Sequence, residues 1–204
     1  MFDSFPHAAS ERMDRPTYHA DFRRVHASGI RSLRKLERGQ EFKERGFASW
    51  EAFSAGEWDR ALELVEDKRE VYARQFREAA RLHVLERRLR VVDFPVTPYV
   101  QWEMHVLRLR VELGDHIKVL DAREIRDVER ERDVPEVVIL GDVALYEVLY
   151  DADGNAMGAN RYTDQELIRE TSAGFEALYA RADDFTTFFD REIAPLAPPR
   201  VHQV

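Results

Sequence analysis

The stretch that most limits what this chain can fold into runs from Arg88 to Glu103, RLRVVDFPVTPYVQWE. Leu89, Arg90, Val91 and Val92 make an apolar, partly β-branched run that reads as a buried strand. Pro95 ends it, because proline has no N–H to give to a ladder. Thr97 then stands where a helix N-cap belongs, with Pro98 at the first helical position and a periodic apolar run behind it. Trp102, Val106, Leu109 and Leu113 mark the inner stripe of that helix, and Gly114 is its expected left-handed stop. Ile117 to Leu120 reads as the next strand. A strand–helix–strand unit of this length is a crossover, so it predicts at least one parallel pair.

Residues 1–16 are polar and aperiodic and are expected to form a flexible arm. Residues 31–37 predict a short strand, with Leu33, Lys35 and Glu37 set against their alternating neighbours. Gly46 to Gly56 predicts a short helix capped at Ser49. From Glu57 to Val84, Trp58, Ala61, Leu62, Val65, Tyr72, Phe76 and Ala79 recur at threes and fours, which predicts a long helix with room for a break near Glu70. Its charged side reads as a solvated face with i,i+4 pairs. Val137 to Leu140, Val143 to Tyr150 and Ala156 to Tyr162 predict an antiparallel meander turning at Gly141-Asp142 and at Asp151 to Gly154. Thr163 and Glu166 have capping-box spacing before a helix to Ala180, and a last helix covers 184–193. Residues 194–204, rich in proline, read as a tail. The fold class is α/β: a single layered domain over 17–193, its mixed sheet of about five strands covered by helices.

Composition bounds the partners. A chain of 204 residues, 44% hydrophobic and 34% charged, is globular with one full core or at most two small ones. A formal net charge of −8 weighs against direct nucleic-acid binding, which needs a basic face. Without cysteine there is neither a disulfide nor a thiolate metal ligand, which fits a reducing compartment; the expected location is cytoplasmic. No apolar run approaches a membrane span, and no secretory leader is expected from the first residues.

The seven histidines form no i,i+4 pair, so no metal is expected, and with neither Gly-x-Gly-x-x-Gly nor a P-loop no cofactor is expected. Asp151, Asp153 and Gly154 begin like a calcium loop, yet Tyr162 stands where that loop needs glutamate; a hairpin turn accounts for them better. His116 and Lys118 have the His-x-Lys start of the phospholipase D motif, but the position of its aspartate is Arg123, so the stretch reads as an exposed strand start.

The strand–helix corner is the place with chemistry left to explain. In α/β folds such a junction brings strand carboxyl ends and helix amino ends to a ligand. Arg88 and Arg90 lie in an otherwise apolar strand, so each guanidinium must be paired or face a ligand if that strand is central. Glu103, Glu112, Glu136 and Glu147 are the available partners. Structural ion pairs and an anion-binding pocket both satisfy the pattern. On the second reading Arg90, Asp93, Thr97, Tyr99, Glu103 and Glu147 are ligand-binding residues for a small polar or anionic molecule, while Trp102 is core. No catalytic set is assigned.

Lys35-Leu-Glu-Arg38, Ser49-Trp-Glu-Ala-Phe53, Leu89-Arg-Val-Val92, Pro95-Val-Thr-Pro-Tyr99, Trp102-Glu103, Tyr146-Glu-Val-Leu-Tyr-Asp151 and Arg161-Tyr-Thr-Asp164 together resemble an actinobacterial family of unknown function, DUF6879. The resemblance runs from Phe22 to Ile193, nearly the whole chain. That family is in turn similar to phospholipase D-like folds without the catalytic His-Lys-Asp set, in keeping with Arg123. Its members are often encoded beside helix-turn-helix regulators, so the resemblance implies a regulatory or accessory role with such a regulator as partner. The resulting expectation is a non-enzymatic accessory protein that binds a small polar ligand or a helix-turn-helix transcriptional regulator. An enzyme of unknown class with its pocket at 90–103 and a pure protein-interaction module are the alternatives. Converging polar groups in a pocket would favour ligand binding or catalysis, and a flat apolar patch would favour the module.

Overall fold

The computed structural model describes residues 2, 5, 8–130 and 132–200. In chain order they form β1 (Glu11–Asp14), α1 (Arg15–His26), β2 (Ser32–Glu37), α2 (Ala48–Ser54), α3 (Trp58–Glu66), α4 (Arg69–Arg81), β3 (Leu85–Val92), α5 (Pro98–Glu112) and β4 (His116–Asp121). After a short 3-10 turn come β5 (Val137–Leu140), β6 (Ala144–Tyr150), β7 (Ala156–Tyr162), α6 (Gln165–Arg181), β8 (Asp183–Asp184) and α7 (Phe185–Phe188), which runs into a π turn at Phe189–Ile193. The strands make one open sheet in the order β1-β7-β6-β5-β2-β3-β4-β8. β2, β3 and β4 are parallel, and the other pairings are antiparallel. The α/β class and the crossover at β3-α5-β4 therefore hold, with Thr97 accepting from the Val100 N–H and Pro98 opening α5.

The sheet has eight strands where about five are expected: to the strands read along the sequence the two edges add β1 and β8, too short or too polar to show a period. β1 comes from the segment expected to be a flexible arm, and Met13 is its one buried residue. It docks against β7 at Gly158, whose φ is +148° and where a Cβ would stand 2.0 Å from the Met13 carbonyl. Phe2 and Phe5 of the same segment are buried in the core, while residues 1, 3, 4, 6 and 7 of that expectation lie outside the described residues. Of the expected tail, Ala197 accepts from the Gln101 side chain, and residues 201–204 lie outside the described residues.

Local capping differs from expectation at two helices. α6 is capped by Asp164, which accepts from the Leu167 N–H, instead of by Thr163. Ser49 is no cap of α2 but a buried residue inside it; it donates to Ala61 O at 2.8 Å and accepts from Trp102 Nε1 at 3.0 Å. The long periodic helix is two helices, α3 and α4, with the break at residues 67–68.

Strand alternation sends side chains to two differently covered faces. On one face Leu36, Leu89, Val91, Leu120, Val137 and Ile139 pack under Ile168, Phe175 and Leu178 of α6. The other face is covered in two separate patches. α1 packs on the meander through Val25, against Val138, Leu140 and Tyr146. α2, α3, α5 and α7 pack over β3 and β4 through Phe53, Val65, Trp102, Leu107 and Phe185. Between the two patches the floor is β2 and β3, and there the outward residues include Lys35, Glu37, Glu86, Arg88 and Arg90 beside Leu33.

Candidate ligand-binding site

On β3, Leu89 and Val91 face α6, which leaves Arg88 and Arg90 on the face toward α5. Arg90 has no exposed surface. Its Nε donates to Glu103 Oε2 at 2.7 Å and its Nη1 to the Val91 carbonyl at 2.8 Å, while Nη2 is buried without a partner among the described residues. Burial opposes charge on both side chains. The Glu103 carboxylate outweighs it for Arg90, which stays protonated; at Glu103 burial pushes the carboxyl up against the pull of Arg90.

The rest of the corner is closed by the segment 38–44. Gln40 accepts from the Asp93 N–H at 2.9 Å and donates to the Val91 carbonyl at 3.0 Å, and its own carbonyl accepts from the Thr97 hydroxyl at 2.8 Å. The Asp93 carboxylate takes Arg38 at 2.8 Å, and the Tyr99 hydroxyl donates to Glu44 at 3.2 Å. Arg90, Asp93, Thr97, Tyr99 and Glu103 thus meet at one corner, with their polar groups directed largely at one another and at this segment. Glu147 does not join them. It projects on the α6 face and accepts from Asn160 at 3.0 Å and Tyr162 at 2.8 Å. Neither does Glu136 pair with an arginine of β3; it accepts the backbone N–H groups of Arg38 and Gly39.

Arg88, one alternation before Arg90, reaches a cleft. It stands opposite Lys35 in the parallel β2–β3 pairing. Arg88 Nη1 lies 2.7 Å from Glu37 Oε2, and Lys35 Nζ lies 2.5 Å from Glu37 Oε1. Burial works against charge on Glu37, but Arg88, Lys35 and Arg90 outweigh it and hold the carboxyl below the usual range. Two cations over one carboxylate leave one positive charge at the surface of the sheet.

That surface is the floor of a cleft of about 500 Å³ between α1 and α4. Tyr18 and Phe22 of α1 wall it, with Leu33 and Val138 beside Lys35 on the floor. Glu86 and Arg110 close one end, where His26 Nε2 lies 3.7 Å from Glu86. Arg110 is held by Asp115 at 2.8 Å and packs over the rings of Tyr72 and Phe76. The volume is that of a small-molecule site, with apolar walls and few placed polar groups. Lys35 and the orientation of Arg88 toward α1 escape sequence reasoning. The available signal is the pair of charged i,i+2 positions in two successive strands, Lys35/Glu37 and Arg88/Arg90.

The other motifs take structural places. His116 opens β4 in an exposed position, Lys118 donates to the Ala182 carbonyl at 3.3 Å, and Arg123 pairs with Asp121. Among the described residues, no group of three or more His, Asp or Glu is placed to hold a metal ion, and no helix is long and apolar enough to cross a membrane. A model of a domain of unknown function, DUF6879, matches residues 20–190, a span that contains every strand of the cleft floor. No curated protein matches the chain.

Proposed function

The chain belongs to the DUF6879 family, and from the geometry of its cleft we propose that it is a non-enzymatic accessory protein that binds a small, negatively charged polar ligand. One observation carries the reading: Lys35 and Arg88 share Glu37 on the floor of an open cleft, leaving a positive charge facing an accessible cavity. The corner residues Arg90, Asp93, Thr97, Tyr99 and Glu103 adjoin that floor where β2 and β3 end. Arg90 Nη1 approaches the Glu37 carbonyl at 3.5 Å, so a fixed Arg90 fixes the strand that carries Glu37. The regulatory part of the proposal comes from the resemblance of the sequence to its family: the partner is a helix-turn-helix regulator that supplies the DNA contacts, in keeping with the −8 charge of this chain.

A thermal-shift panel of amino acids, nucleotides and sugar phosphates on wild type, Arg88→Met and Lys35→Met tests the binding reading. A ligand specific to the native state raises the midpoint. The expected result is that an anion in the panel shifts wild type and that both variants remain folded and lose the shift. A shift that survives in both variants, or no shift by any anion, would count against the cleft.

A further inference from the structure

We infer that the cleft between α1 and α4 is built for a small amphipathic monocarboxylate, with the carboxylate on Lys35 and Arg88 and a flat apolar body against Phe22, Tyr18 and Leu33. This rests on the binding reading above and names the class of ligand.

Charge comes first. The floor offers one unbalanced positive charge, since Lys35 and Arg88 both lie on Glu37. Of the other cations lining the cleft, Arg23 stands exposed on α1, and Arg110 is already matched by Asp115 and covered by two rings. A second negative group on the ligand, reaching the closed end, would meet Glu86 and not a free cation. A monoanion is therefore matched, and a dianion is opposed at one end.

Shape comes second. Tyr18, Phe22 and His26 stand at i, i+4 and i+8 of α1 and give the cleft an aromatic side. The Phe22 and His26 rings are stacked, 5.9 Å apart and inclined at 18°, and the Tyr18 ring packs 5.1 Å from that of Tyr146, so the wall is braced from behind. Across from it, Leu33 precedes Lys35 by one alternation and Val138 pairs with Lys35 on β5, so the cation is flanked by apolar side chains. A bare inorganic anion would satisfy Lys35 and Arg88 but leave this wall against water. A planar hydrocarbon body beside the carboxylate covers it. Burial pushes the Tyr18 hydroxyl up to about 12, so the ring brings no competing negative charge at neutral pH.

Calorimetric titration of the full chain with phenylacetate, benzyl alcohol, inorganic phosphate and adenosine monophosphate tests the class. Phenylacetate is expected to bind wild type, with about a tenfold or greater loss of affinity in Arg88→Met and a loss in Phe22→Ser that Phe22→Leu largely restores. Benzyl alcohol and inorganic phosphate, each offering half of the match, are expected to bind at least tenfold more weakly than phenylacetate. If phosphate or adenosine monophosphate binds in an Arg88-dependent way while phenylacetate does not, the cleft is an anion site of another class: this inference falls and the binding reading stands. Phenylacetate binding that ignores both Arg88→Met and Phe22→Ser overturns it as well. If none of the four binds and no anion shifts the wild-type midpoint, both fall together.

Discussion

Arg90 donates to Glu103 and to the carbonyl of Val91 with no surface exposed, whereas Arg88, two residues earlier, ends on the floor of a cleft. The two guanidiniums respond differently to removal. Arg90→Met leaves Glu103 buried without its partner and is expected to cost about 3–5 kcal/mol in chemical denaturation. Adding Glu103→Leu removes the stranded carboxylate, so the double variant should recover most of that loss. Equal midpoints for wild type and Arg90→Met would contradict the buried pair. Glu37 gives a pH signature. Its folded-state value lies below the ordinary 4.5 because Arg88, Lys35 and Arg90 overcome the effect of burial. A depressed carboxyl stabilises the fold above its unfolded value and loses that contribution as pH falls toward the folded one. The stability advantage of wild type over Glu37→Gln should therefore be full at neutral pH and shrink below about pH 4.5. An advantage that grows on acidification would reverse the sign.

Elements whose ends are encoded by adjacent residues are legible from sequence alone. The β3–α5 junction is one: Pro95 stops the ladder, Thr97 caps and Pro98 starts the helix, all within one turn. Where two capping residues are neighbours, local chemistry does not choose between them. Thr163 and Asp164 both qualify, and the choice of Asp164 follows from the face of α6 that buries Leu167, Ile168, Thr171, Phe175 and Leu178. Asp164→Ala should cost about 1 kcal/mol and Thr163→Ala far less, measured as denaturant midpoints. Ser49 reads as a cap because serine usually is one; its actual partners, Ala61 and Trp102, come from other helices. β1 is invisible to periodicity, since what docks it is a glycine far along the chain. Gly158→Val would force a side chain into the Met13 carbonyl and strain a backbone at φ +148°. Amide exchange in β1 should then quicken sharply while β3 and β4 stay protected; unchanged exchange in β1 would contradict that account.

At the scale of the whole molecule, β2 and β3 carry a block of cations through the middle of the sheet. Lys35 and Arg88 share Glu37 on one face, and Arg34 and Arg87 share Glu176 of α6 on the other. The difference lies in what covers each face: α6 lies across the second pair, while α1 and α4 part over the first. Candidate residues drawn from one strand–helix junction do converge, because a junction is local. Glu147, the candidate from outside that junction, falls on the opposite face. The cleft itself depends on α1 packing on the meander and α4 packing on the α3–α5 side, which no window of sequence contains. The central claim is that a ligand lies between these helices over Lys35 and Arg88. Amide chemical-shift mapping by NMR during titration with phenylacetate tests it most directly. The account predicts the largest changes in α1 around Phe22 and His26, in β2 around Leu33 and Lys35, and in β3 at Arg88. Changes confined to the α6 face or to the 90–103 corner, or a spectrum that does not move, would contradict it.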